Sequence, residues 1–250
     1  ILVQHWLDSW QLSVNISKCE VLSVGMGNHL FPYRFRGYIL PQGEHCRDLG
    51  VYVSNDLSFS RHCLHISSVA HLKCRQLFNS FACRDRNFFV FLFCTYIRPI
   101  LESGSPVWSP YLITDINRIE SVQRKFTKYL PGLFHTPYPT RLNILNLQSL
   151  EVRRIHEDLV FLFKIVHNLV DVNVADYLSF NNNNTRGHNF KINVQYSRIN
   201  VRKYFFINRT VSIWNSLPPK VVESNSVFTF KKNLLAVDFI PFCRGCAYTA

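Results

Sequence analysis

The stretch TYIRPILESGSPVWSP, residues 95–110, limits the fold more than any other part of the chain. It continues the apolar run Phe88-Phe89-Val90-Phe91-Leu92-Phe93, which only a core can accommodate, and then places Pro99 in the helix path. Proline donates no backbone hydrogen bond and its ring collides with the preceding turn, so a helix over Asn87 to Leu101 has to kink or end near Arg98. Gly104, Pro106, Pro110 and three serines then supply turn chemistry, which folds Trp108 back against the helices and aims Arg98 outward. The longest uncharged apolar stretch, Phe88 to Ile97, is far shorter than the ~20 residues of a membrane-spanning helix. A buried helix is the expectation, with no membrane partner.

Helical periodicity extends to both sides. Ile66, Val69, Ala70, Lys73, Leu77 and Phe81 step through a helix of roughly six turns that starts near Ser58. Thr114 is placed to cap a third helix, with Asp115 in its first turn. At 100° per residue, Ile116, Ile119, Val122, Phe126 and Leu130 share one face of it; Arg118, Lys125 and Lys128 fall opposite, with Arg124 alongside. A fourth helix, capped by Ser149, has the seam Val152, Ile155, Leu159, Leu162, Val166 and Leu169, and Arg153, Arg154 and Lys164 mix with Glu157 and Asp158 outside it.

Before Ser58 the period is that of strands. The end of a helix at residues 6–12 leads to short runs at 19–24, 30–35 and 49–53, divided by glycines. The expected fold is therefore α+β, with a small antiparallel region followed by helices. Four segments are expected: 1–57, 58–133, 134–180 and 181–250, the last boundary at the polar run Asn181 to Asn184. In the last segment Arg198, Arg202, Lys203 and Arg209 alternate with Tyr204, Phe205, Phe206 and Trp214, aromatics that suit a core better than base stacking.

The surplus of 28 Lys and Arg over 16 Asp and Glu gives a net charge of +12, which favours polyanions, nucleic acid above all. Hydrophobic residues make up 47% of the chain, which excludes a disordered tail as the source of that charge. Eight cysteines without a secretory signal point to a reducing compartment and free thiols. Cys243 and Cys246 form a lone Cys-x-x-Cys, short of the four ligands of structural zinc, so no metal site is assigned.

Six blocks in order carry a family resemblance: WQLSVNISKCEVL (10–22), RDLGVYVS (47–54), TYIRPILESGSPVWSPY (95–111), IESVQRKFTKYLPGL (119–133), YPTRLNILNLQSLEVRR (138–154) and RTVSIWNSLPPKVV (209–222). Together they resemble the carboxy-terminal part of reverse transcriptases of non-LTR retrotransposons, the LINE type, including jockey-like elements. The resemblance implies the end of a polymerase palm with its primer grip, a helical thumb and a following basic region. Asn15 and Lys18 match the motif just after the catalytic aspartates, where the family's lysine assists departure of pyrophosphate. Leu49, Gly50 and Val51 match the primer grip.

The thumb resemblance assigns nucleic-acid contacts to Arg98, Arg118, Arg124, Lys125 and Lys128, and the following region adds Arg141, Arg153 and Arg154. The implied partners are an RNA template and a DNA primer, in the nucleus or cytoplasm. Two-metal phosphoryl transfer needs carboxylates that clamp both cations. No adjacent Asp-Asp pair occurs in this chain, so Mg²⁺ is expected for a full-length parent and no cofactor for this portion. The alternatives are a stand-alone helical nucleic-acid-binding module and a nonfunctional relic of a transposon.

Overall fold

The computed structural model describes residues 2–25, 31–173, 177–181 and 187–245. The fold is α+β, and the chain forms two compact units, residues 1–62 and 63–250.

In the first unit a helix, α1 (Leu2–Ser9), precedes a 3₁₀ turn at Ile16–Lys18 and six short strands. These are β1 (Val21–Leu22), β2 (Arg34–Phe35), β3 (Tyr38–Ile39), β4 (Gln42–Gly43), β5 (His45–Asp48) and β6 (Val51–Ser54). They pair as three separate two-stranded ribbons. The β2–β3 and β5–β6 pairs are antiparallel, as expected; β1 and β4 run parallel, with Val21 opposite Gln42 and Leu22 opposite Gly43. The reason is the connection: it contains the β2–β3 hairpin and is long enough to bring the chain back in its original direction.

Both hairpins turn on two residues of positive φ, Arg36 (48°) with Gly37 (84°) and Leu49 (45°) with Gly50 (90°), the signature of a type I′ turn. Leu49 and Gly50 thus belong to the turn, and the strand expected from 49 begins at Val51. Its partner β5 escaped the sequence reading because His45, Arg47 and Asp48 carry no apolar alternation. Leu30, at the edge of another expected strand, lies outside the described residues.

The second unit begins within α2 (Ser60–Ser80). Its length matches the expectation, but its inward stripe is Cys63, Ile66, Ser67, Ala70 and Cys74, while Val69 is exposed and Phe81 lies past the end. Two thiols take positions that a hydrophobicity count gives to larger residues. Burial pushes the pKa of both Cys63 and Cys74 up to about 12, so they serve as small apolar side chains.

The Arg98-Pro99 interruption has a defined form. Asp85 caps α3 (Arg86–Leu92) by accepting the Phe88 N–H at 2.7 Å. A π-helical turn, Phe93–Ile97, follows, and then α4 (Arg98–Glu102). At the junction the Arg98 N–H bonds to the Phe93 carbonyl, one residue further back than in an α-helix. Pro99 offers no N–H to the turn before it, and the π register absorbs the mismatch. Gly104, at φ 66°, then reverses the chain into α5 (Ser105–Trp108). Trp108 is fully buried and donates its indole N–H to the Ser103 carbonyl at 2.8 Å.

The helix α6 (Ile113–Lys128) buries Ile116, Ile119, Val122 and Phe126, with Leu130 just beyond, along the seam read from the sequence. It starts before Thr114: Leu112 holds the N-cap position without a side-chain hydrogen bond. After α7 (Tyr138–Ile144) comes α8 (Leu150–Val166), which packs against α4, α5 and α6. Ser149 caps α8 through the Val152 N–H at 3.2 Å. The helix ends at Val166, so Leu169, expected in the seam, is exposed.

The remaining helices are α9 (Asn200–Lys203), α10 (Phe206–Ser216), α11 (Pro219–Val222) and α12 (Val227–Leu234). With α8 they enclose Leu159, Phe163, Val211, Trp214, Phe230 and Leu234. Trp214 is fully buried and donates to the Phe190 carbonyl at 2.8 Å, which removes it from any base-stacking role. Asn182, Asn183 and Asn184 of the expected loop lie outside the described residues. Among the described residues, no helix is long and apolar enough to cross a membrane.

Candidate nucleic-acid interface

Positions assigned to nucleic acid from the sequence divide into three groups. Arg141 and Arg154 are internal, 4% and 2% exposed. The Arg141 guanidinium donates to the Thr136 carbonyl at 2.9 Å and the Arg124 carbonyl at 3.1 Å, and so ties α7 to α6. Arg98 and Arg153 both lean on Glu102: Arg98 pairs with it at 3.8 Å, and Arg153 grips both of its oxygens. A guanidinium held by a carboxylate or enclosed in the fold is poorly placed to reach the backbone of a duplex lying on the surface. Arg98, Arg141 and Arg153 are thus engaged by partners within the fold and Arg154 is enclosed, so none of the four stands as a free surface cation.

The second group is partly engaged. Arg118 pairs with Asp115 at 2.5 Å, and the Arg124 guanidinium lies over the Tyr138 ring at 5.2 Å. Lys125 and Lys128 form the third group; both are exposed on the outer edge of α6, and the Lys128 ammonium sits 4.6 Å from the Phe134 ring centroid. A lysine on an aromatic face keeps its charge and most of its donors available.

Lys125 borders a groove of about 800 Å³ between α2 and α6. Its charged walls are Arg75, Arg84 and Lys125, with no carboxylate among the lining residues. Its floor is aromatic, made by Phe78, Phe126 and Tyr129, with Phe78 and Phe126 at 5.1 Å between ring centroids. The Arg84 guanidinium lies over Phe78 and Phe89 at 5.4 and 5.5 Å and enters no ion pair among the described residues. His71 on the same wall is held below the ordinary histidine pKa by burial and by Lys125, so it lines the groove as a neutral ring beside Ser121, 3.3 Å away.

Arg75, Arg84 and the aromatic floor were not singled out from the sequence. The signal was present: His71, Cys74, Arg75 and Phe78 recur at helical spacing along one edge of α2, but only the apolar seam was traced. Lys128 lies one turn beyond Lys125 on α6 and extends the cationic edge past the groove.

In the first unit, Lys18 is exposed at the end of its 3₁₀ turn, which Asn15 caps by accepting the Ser17 N–H at 3.1 Å. At the β5–β6 hairpin, Leu49 projects almost fully into solvent, 99% exposed. A Cβ on Gly50 would meet nothing within 4 Å, so glycine serves there for its φ of 90°, not for space. A leucine in the left-handed region costs about 1–2 kcal/mol. Leu49→Asn is therefore expected to raise the unfolding free energy of the hairpin unit by about 0.5–1 kcal/mol, read as a higher urea midpoint, because asparagine tolerates that conformation. No gain would mean that the turn does not hold Leu49 at positive φ.

Among the described residues no group of three or more His, Cys, Asp or Glu side chains is placed to hold an ion. Cys243 is held up to about 12 by burial and by Glu151 and donates its thiol to the Phe239 carbonyl at 3.4 Å. Cys246 lies outside the described residues.

Comparison with known proteins gives one relative, an uncharacterized protein of Caenorhabditis elegans, 26% identical over 126 residues. The match takes in 49% of this chain and 62% of that protein, so the chain spans about three fifths of the relative's length. No protein-family profile matches the chain, and no solved structure matches it significantly.

Proposed function

We propose that this chain is the carboxy-terminal portion of a LINE-type RNA-directed DNA polymerase and that it holds a template–primer duplex without performing the chemistry. The observation that carries this reading is the α2–α6 groove, with arginine and lysine walls, no lining carboxylate and an aromatic floor. Phosphates make nucleic-acid affinity largely electrostatic and independent of sequence, and aromatic rings at the bottom of a cationic channel accept any base face. The six-block resemblance assigns Lys125 and Lys128 to the thumb that follows the duplex; Arg75 and Arg84 join them here from α2 and its following loop.

Two features of the first unit support the same reading. The β5–β6 hairpin presents an outward leucine on a strained two-residue turn, and strain of this kind concentrates where a backbone has to meet a partner. Leu7 is its one enclosed apolar side chain described before His62, while Trp6, Trp10, Phe31 and Tyr33 stand at least half exposed. So much uncovered aromatic surface suits a palm edge that packs against further polymerase structure. The aspartate pair, the Mg²⁺ ions and the deoxynucleotide site belong to that parent. Lys18, in this reading, stands near the departing pyrophosphate.

The test is a fourfold substitution. Arg75, Arg84, Lys125 and Lys128 all changed to Ala are expected to weaken binding to an RNA–DNA duplex by tenfold to a hundredfold at ~100 mM salt, on the basis of about four lost phosphate contacts. Fluorescence anisotropy with a labelled duplex reads the change, and circular dichroism confirms the fold. Unchanged affinity in a folded variant rejects the assignment.

A further inference from the structure

A second cavity lies elsewhere in the 63–250 unit, between α8, α10 and the segment after α5, with a volume of about 560 Å³. Tyr111 and Tyr204 form one wall, stacked at 4.4 Å with planes 4° apart, and the Arg244 guanidinium lies over Tyr204 at 4.8 Å. Arg154 and Asp158 contribute from α8 and Arg209 from α10. The volume falls within the range of small-molecule sites.

Arg154 is the decisive residue. It is 2% exposed, and both of its terminal nitrogens are enclosed without a hydrogen-bond acceptor. A guanidinium stays charged in proteins, so five donors on a buried cation call for an acceptor, and an unmade bond to a charged group is expensive. The carboxylates nearby are committed elsewhere. Asp158 holds Arg209 through both oxygens at 2.8 and 2.9 Å. Glu151 accepts the Arg244 and Gly245 N–H groups at 2.7 and 3.0 Å, and Glu120 accepts from Tyr138 and Leu150.

The charged lining thus comprises Arg154, Lys203, Arg209 and Arg244 against Asp158 and Glu151, a surplus of two positive charges. Among the described residues, Arg154, Lys203 and Arg244 enter no ion pair.

We infer that this cavity binds a phosphate group, free or as the monoester of a nucleotide or of a nucleic-acid 5′ end, with the Arg154 guanidinium as the anchor. An anion offsets the positive charge of the lining, and the several oxygens of a phosphate can meet more than one of its cations at once. Those oxygens match the fork geometry of arginine, and Arg154, which lines the cavity, has both terminal nitrogens without an acceptor. Ser197, Asn208 and Ser212 on the lining offer hydrogen bonds to a polar remainder such as a ribose. The inference stands on residues separate from the α2–α6 groove, so either can fail alone.

The test is thermal unfolding of the full chain with inorganic phosphate, a nucleoside 5′-monophosphate, and a short oligonucleotide with and without a 5′-phosphate, each against chloride at equal ionic strength. A bound ligand at a hundredfold excess over Kd raises Tm by roughly 5–10 °C in a chain of this size. The expected result is such a rise with phosphate and its monoesters, retained in the fourfold groove variant and absent in Arg154→Met, which without phosphate unfolds no earlier than the wild type. The strongest response among the ligands identifies the source of the phosphate. An equal rise in chloride, or the same response in Arg154→Met, overturns the inference. If Arg154→Met does not fold, Lys203→Gln and Arg244→Gln decide: several-fold weaker phosphate binding in both supports the site, and unchanged binding in both overturns it.

Discussion

Replacing Glu120 with alanine lowers the unfolding free energy by about 2–5 kcal/mol, because the Tyr138 hydroxyl and the Leu150 N–H each lose a buried acceptor at about 1–3 kcal/mol apiece. Glu120 sits inside α6, 1% exposed, where three helices meet. Its carboxylate accepts the Tyr138 hydroxyl of α7 at 2.5 Å and the Leu150 N–H at the start of α8 at 3.0 Å. Gln123 completes the junction by donating to the Tyr138 oxygen at 3.0 Å and to the Gln148 carbonyl at 2.9 Å.

Burial pushes the Glu120 pKa up, opposed by the Tyr138 hydrogen bond, by Arg154 and by the Leu150 amide. Alanine leaves the phenol and a helix N-terminus without their acceptor. Urea unfolding gives the number, and combining Glu120→Ala with Tyr138→Phe is expected to cost at least about 1 kcal/mol less than the sum of the single changes, because both break one contact. A loss under about 1 kcal/mol for Glu120→Ala contradicts this account of the junction.

Acid weakens the chain through His156. Burial, with Arg153 adding to it, lowers the pKa of His156 from 6.5 to about 4, and its Nε2 is enclosed without a partner. The ring packs edge-on against Phe239 at 4.9 Å between centroids. With the folded pKa below the unfolded one, the unfolded chain binds more protons between pH 4 and 6.5. Stability is therefore complete above 6.5 and is lost as pH falls toward 4, by roughly 3 kcal/mol for a shift of this size. His188, lowered mainly by burial, acts in the same sense. Asp158 and Glu120 are raised mainly by burial and act in the opposite one. Comparing wild type with His156→Leu isolates the term: the difference in urea midpoint between pH 7 and pH 4.5 shrinks in the variant. An identical pH dependence in both refutes it.

Helices with an uninterrupted apolar seam were legible in the sequence. The α6 stripe from Ile116 to Leu130 is buried throughout, and the break at Pro99 falls where the missing N–H demanded one. That the break takes the form of a π turn was not legible, because it depends on which carbonyl the Arg98 N–H reaches. The α2 stripe was legible in part: Ile66 and Ala70 are buried as expected, whereas Cys63 and Cys74 pack as apolar residues and Val69 faces solvent. At the candidate interface, sequence separated charge from apolar surface but not free charge from spent charge. Arg153 is on the outside of α8 in any helical projection, yet Glu102, 51 residues earlier, occupies it. Such partners are set by tertiary contact, as is the opposition of Arg75 and Lys125 across the groove.

Titrating a labelled RNA–DNA duplex with the chain between 50 and 200 mM salt tests the central claim most directly. Four cations in contact with phosphates give a log–log slope of about −3.6 and a fall in affinity of roughly two decades over that range. The slope is expected to approach zero when Arg75, Arg84, Lys125 and Lys128 are all alanine. A wild-type slope near zero, or the same slope in both proteins, contradicts the duplex-holding groove.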